Sequence, residues 1–137
     1  MIAETRFTVG PDHADELGHM NHVAAVRFLE KARYLWYAQA GLWGSGAVRG
    51  EDFTLGTVVV NLNIDYLKEC FQGEEFRVRT MPGKKGTKSF VLDQRVITPA
   101  GETAVRCRCT SVIMDLETRK VLPVPDSIGT HFTHREP

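Results

Sequence analysis

The sequence has no long apolar run, no excess of either charge and few cysteines, and each shortage narrows what the chain can be. No stretch approaches the roughly 20 apolar residues that a membrane-spanning helix needs. The first ten residues, MIAETRFTVG, also lack the charged-then-apolar layout of a secretory signal. A cytoplasmic location without a membrane span is therefore expected. Lysine plus arginine number 17 and aspartate plus glutamate also 17. No overall field exists to hold nucleic acid or an anionic membrane, so any anion site has to be local. The cysteines are Cys70, Cys107 and Cys109, an odd number. The last two sit two apart in a strand-like run and point the same way, and no second pair has zinc-ligand spacing. All three are expected as buried, reduced thiols.

What is present is ordinary for a soluble globular chain: 42% hydrophobic and 25% charged residues in 137. That length fits one domain over residues 1–137. A first strand is expected over 1–9, followed by a polar turn-forming stretch over 10–21 rich in Asp and His. From His22 to Ala40 the period becomes helical, with Ala25, Phe28, Leu29, Ala32 and Trp36 on one stripe and Arg27, Lys31 and Tyr34 largely opposite. Asn21 suits the N-cap and Gly41 the left-handed position after the last turn. Residues 41–56 hold five glycines and read as a long loop.

After the loop the period changes to two. In 57–67, Val58, Val60, Leu62, Ile64 and Tyr66 share one face, and Val59, Asn61, Asn63 and Asp65 the other. Further strands are expected over 75–81, 88–98 and 102–115, joined by short turns that force antiparallel neighbours. In the last strand Val105, Cys107, Cys109, Ser111 and Ile113 form the inner row, with Arg106 and Arg108 outward. The proline-containing tail from Pro123 is expected to be irregular. The class is α+β: one helix packed on one curved antiparallel sheet. The other sheet face, with Val59 and Met81, is expected to be buried in a homodimer or homotetramer.

The run Asp15-Glu16-Leu17-Gly18-His19-Met20-Asn21-His22, leading into Arg27-Phe28-Leu29-Glu30-Lys31-Ala32-Arg33, resembles the signature of the 4-hydroxybenzoyl-CoA thioesterase family of hotdog proteins. The resemblance continues through VVVNLNIDYLK at 58–68, residues 73–79, Ser89 after a basic turn, and Asp115-Leu116-Glu117-Thr118. It implies a five-stranded antiparallel sheet wrapped around a long helix, dimers joined sheet edge to sheet edge, and active sites at the subunit interface. The implied activity is hydrolysis of an acyl-CoA thioester, with no cofactor beyond the coenzyme A of the substrate. By the same resemblance Asp15 is the general base or nucleophile, and the helix start at His22, seven residues on, receives the oxyanion. Lys84, Lys85, Lys88 and Ser89 are implied near the CoA phosphates.

Plainer readings stand beside these. Asp15 can cap a turn, His22 can be a structural hydrogen-bonding histidine, and lysines at a hairpin tip are commonly just solvated. Asp12, His13, Asp15, His19 and His22 invite a metal reading, but they straddle an irregular loop without a regular ligand pair, and no metal is expected. Glu30 is expected to form an ion pair with Arg33 or Arg27. Relatives often carry an aromatic residue at the place of Ala25, so the smaller side chain points either to a widened acyl pocket or to drift away from catalysis, and the acyl specificity is left open. The alternative to an enzyme is a catalytically silent hotdog protein that binds acyl-CoA or a protein partner. A hotdog dehydratase is disfavoured, because it needs a differently placed His and helix-borne acid.

Overall fold

A computed structural model describes residues 1–42 and 55–135, with side chains to residue 132. The elements are β1 (Ala3–Thr8), α1 (His22–Ala40), β2 (Leu55–Tyr66), β3 (Glu75–Lys85), β4 (Ser89–Ile97), β5 (Thr103–Asp115), β6 (Val121–Leu122) and the single turn α2 (Asp126–Gly129). Most of the expected glycine loop lies outside the described residues. The tail is not irregular: α2 is followed by a 3-10 segment over Thr130–Arg135. Ile128 and Phe132 are buried against Trp36 and Phe90, which gives the tail the apolar anchors a composition reading misses.

The helix has the expected limits because both ends are chemically marked. Asn21 Oδ1 accepts the Ala24 amide at 2.8 Å, and Gly41 takes φ 97°, a left-handed conformation that favours glycine. All pairings are antiparallel, in the order β1-β3-β4-β5-β2, with β6 a short addition to β5. The helix packs over β1 and β3. Leu29, Ala32, Phe76, Val78, Val96, Val105 and Cys107 form one apolar cluster; Trp36, Tyr37, Phe90, Leu92 and Ile113 form another.

Arg33 lies between these clusters along the helix and is 4% exposed. Its Nη1 donates to Gln94 Oε1 at 3.0 Å, while Gln94 Nε2 donates to the Leu29 carbonyl at 2.9 Å and to Thr80 Oγ1 at 3.0 Å. The expected pairing of Glu30 with Arg33 is therefore wrong: Glu30 is exposed and Arg33 turns inward.

A second correction concerns β2. Val59 pairs with Ser111 and Asn61 with Thr110, so Val60 is an extra residue that shifts the register. Thr57 and Val59 therefore join Leu62, Ile64 and Tyr66 on the face of Ser111, Cys109 and Cys107, rather than facing outward. The outer face is also less apolar than expected. Met81 stands among charged side chains there, with ion pairs such as Arg79–Glu4 at 3.2 Å and Arg108–Asp93 at 3.3 Å. Within the sheet, open apolar surface lies on β2 itself, a sheet-edge strand on which Val59 is 43% and Tyr66 52% exposed.

Candidate active site

The loop between β1 and α1 is built on backbone hydrogen bonds that hold Asp15 in place. The Asp15 amide donates to the His19 carbonyl at 2.8 Å, and the Gly18 amide donates to the Asp15 carbonyl at 3.0 Å. Gly18 closes this turn at φ 81°. Asp15 Oδ1 accepts the amides of Leu17 at 2.9 Å and His19 at 3.1 Å. The turn-capping reading is thus realised, but on one oxygen; Oδ2 has no hydrogen-bond partner among the described residues. A carboxylate fixed through one oxygen presents the other in a defined direction.

The loop rests on the segment after β2. The Met20 amide donates to the Cys70 carbonyl at 2.6 Å and the Gln72 amide to the Gly18 carbonyl at 3.0 Å. His19 Nδ1 lies 2.9 Å from Glu69 Oε2, and its ring stands edge-on to Phe71 with centroids 4.9 Å apart. On the other side of the loop, His13 Nδ1 accepts the Gly10 amide at 2.9 Å. These contacts engage His13 and His19 within the protein, and among the described residues no three His, Cys, Asp or Glu side chains converge as a metal site.

The helix supplies the other half of the site. The Asn21 cap takes the Ala24 amide, while the amides of His22 and Val23 belong to the first turn and have no intrahelical acceptor. They sit at the positive end of the helix dipole, suited to an oxygen gaining negative charge. A cavity of about 490 Å³ is lined by Asp15, His19, His22, Tyr66, Glu69 and Cys70, among others. Asp15 and the helix start thus line one space. His22, exposed, also lines a neighbouring cavity of about 630 Å³ with Arg27 and Phe28. Ala25 opens onto neither: it is fully buried, so it widens neither cavity.

Lys84, Lys85, Lys88 and Ser89 are not brought to Asp15 within the chain. Thr8 pairs with Glu75 at the start of β3, beside the Asp15 loop, whereas Lys85 ends that strand. Ten residues at about 3.3 Å each put the two ends on the order of 33 Å apart. Lys85 Nζ donates to the Gly86 carbonyl at 3.3 Å, and a Cβ at Gly129 would meet the Lys85 stem, so this lysine is partly held by its own surroundings. The three cysteines are free and buried as expected. Burial pushes the Cys70 thiol up to about 11 and that of Cys107 to about 12, which keeps both protonated and inert near neutrality.

With this geometry in view, comparison with known proteins decides the family. Residues 9–132 match the model of the thioesterase-like superfamily. The chain belongs to this superfamily. It is 28% identical over 121 residues to the long-chain acyl-CoA thioesterase FadM of Escherichia coli K12, covering 87% of this chain and 88% of that one. The PA2801 protein of Pseudomonas aeruginosa, described as a putative thioesterase, superposes with a TM-score of 0.81 at 28% identity, covering 93% of this chain and 95% of that one. Slr0204 of Synechocystis, a 1,4-dihydroxy-2-naphthoyl-CoA thioesterase, superposes with a TM-score of 0.83 over the whole of both chains, at 16% identity. The hotdog resemblance and the thioester-hydrolase assignment are met; no helix of the described residues is long and apolar enough to cross a membrane. Glu69 and Tyr66 line the Asp15 cavity without any local signal, because a glutamate after a strand and a tyrosine in an alternating run resemble any surface pair.

Proposed function

We infer that the chain hydrolyses acyl-CoA thioesters, with Asp15 as general base or nucleophile and the first-turn amides at His22 as the oxyanion site. The observation that carries this reading is the shared cavity, which Asp15 and the helix start both line. The half-open apolar row Tyr66, Ile64 and Leu62 runs from that cavity along the inner side of β2. It suits an aliphatic chain, in line with the similarity to a long-chain acyl-CoA thioesterase. We place the homodimer contact at the β2 edge, since a long edge strand with exposed apolar side chains invites pairing. Two-fold antiparallel pairing would bring the Leu55 end of a second copy beside this copy's Tyr66 end. Ser89 faces Val112, which pairs with Val58, so the second copy's lysine hairpin would approach the Asp15 end. Lys84, Lys85, Lys88 and Ser89 then serve the CoA phosphates of the neighbouring site.

The test is thiol release over a panel from acetyl-CoA to palmitoyl-CoA, with benzoyl-CoA as the aromatic member. Asp15→Asn, folded by circular dichroism, should lose at least about a hundredfold in kcat/KM. Undiminished hydrolysis would remove Asp15 from the mechanism. Binding of acyl-CoA without turnover by the unmodified protein would instead identify a silent acyl-CoA-binding protein.

A further inference from the structure

Asp15 is held by backbone alone within its loop, which raises the question of what holds the loop. Residues 14–20 form a small arch closed by the bridge between Ala14 and Met20. The arch meets the rest of the molecule along the 69–72 segment, through the bridge between His19 and Phe71 and the amides of Met20 and Gln72. That bed is rigid. Cys70 is 3% exposed in the apolar core, and Glu74 Oε1 accepts the Phe71 amide at 3.1 Å while its own amide donates to the Phe71 carbonyl.

Within the arch one residue touches both sides. The His19 backbone holds Asp15 twice, its amide donating to Oδ1 at 3.1 Å and its carbonyl accepting the Asp15 amide at 2.8 Å. Its imidazole Nδ1 meets Glu69 Oε2 at 2.9 Å. Any drift of the His19 backbone therefore moves the Asp15 carboxylate with it, and the polar side-chain tie that resists this drift, beside the bridge and ring contact to Phe71, is Glu69. We propose that Glu69 is a positioning residue for Asp15, acting through His19. The proposal rests on the reading of Asp15 as the reacting carboxylate and extends it to a residue with no place in the motif around Asp15.

The competing account makes the pair an ordinary surface ion bridge. The Glu69 side chain is 59% exposed and that of His19 26%, so the contact adds little to folding and Glu69→Ala should fold normally. A positioning role differs because misplacing a catalytic group by about an ångström can cost on the order of a hundredfold in rate. Glu69 also lines the Asp15 cavity, so a substrate-binding role has to be separated, and it would show in KM.

The experiment measures kcat and KM for palmitoyl-CoA in Glu69→Ala, Glu69→Gln, Asp15→Asn and the Asp15→Asn, Glu69→Ala double variant, each checked by circular dichroism. Glu69→Ala is expected to lower kcat about tenfold with KM unchanged. Glu69→Gln keeps an oxygen that accepts from Nδ1–H and should recover most of the loss. On the Asp15→Asn background Glu69→Ala should cost nothing more, because the group it positions is gone. Full turnover in Glu69→Ala beside a large loss in Asp15→Asn overturns the positioning role alone. A change confined to KM, or equal losses in the Ala and Gln variants, does the same. Undiminished turnover in Asp15→Asn overturns the underlying reading of Asp15, and the positioning role falls with it.

Discussion

Replacing Gln94 by leucine should be among the costliest single changes to stability. Gln94 is fully buried, accepts one bond from the Arg33 guanidinium and donates two, to the Leu29 carbonyl and the Thr80 hydroxyl. The Leu29 carbonyl keeps its helical bond from the Arg33 amide, and the Thr80 hydroxyl can turn, so the loss falls on Arg33. That guanidinium is 4% exposed, and among the described residues no carboxylate lies within 4.0 Å of it. Leaving a buried charged donor without its acceptor costs about 3 kcal/mol. At about 3 to 4 °C per kcal/mol for a chain of this size, the melting temperature should fall by roughly 10 °C. The assay is thermal and urea denaturation followed by circular dichroism at one fixed protein concentration, because association would shift both midpoints. The Arg33→Met, Gln94→Leu double variant removes the charge together with its partner and should recover most of the loss. A Gln94→Leu cost below about 1 kcal/mol, or a double variant weaker than the single, would refute this account of Arg33.

Two further outcomes follow from the geometry. Burial raises the folded-state pKa of Cys70 from 9.0 to about 11 and of Cys107 from 9.0 to about 12. Above the ordinary thiol value the unfolded chain therefore loses these protons first, and the stability present below about pH 9 is lost as pH rises toward 12. Urea midpoints should fall steadily through that window and less steeply in Cys107→Ala; equal slopes for the two proteins would count against the thiols. The Lys85→Ala, Lys88→Ala variant should raise KM for acyl-CoA several-fold with kcat nearly unchanged, since each exposed phosphate contact is worth about a kcal/mol or less. A pantetheine thioester without the nucleotide should be hydrolysed as by the unmodified protein; equal losses on both substrates would take the lysines away from the phosphates.

The helix was fully legible because its two ends carry unambiguous chemistry, a side-chain oxygen at Asn21 and a residue without Cβ at Gly41. The strands were legible wherever polar residues alternate with apolar ones, as in Val105 to Ile113, whose inner row is as expected. What stayed hidden has two physical causes. Arg33 was expected as an ion-pair partner of Glu30 on its own helix, yet its partner Gln94 lies 61 positions away, and neither residue announces the other locally. Val60 escaped for the opposite reason: in Val58-Val59-Val60 the residues are identical, so a period of two has no contrast by which to register an extra residue.

The bulge at Val60 bears on the site. With strict alternation through β2, Thr57 and Val59 would face outward into the charged layer while Leu62, Ile64 and Tyr66 faced the helix side. One extra residue reverses the first half of the strand and keeps the second. The result is a continuous inner row from Thr57 to Tyr66 that ends at the cavity holding Asp15. A motif concentrated in eight residues points to Asp15 as the carboxylate we propose for the reaction. Sequence could not identify the surface leading to that carboxylate, because the surface depends on a register that only pairing with β5 defines.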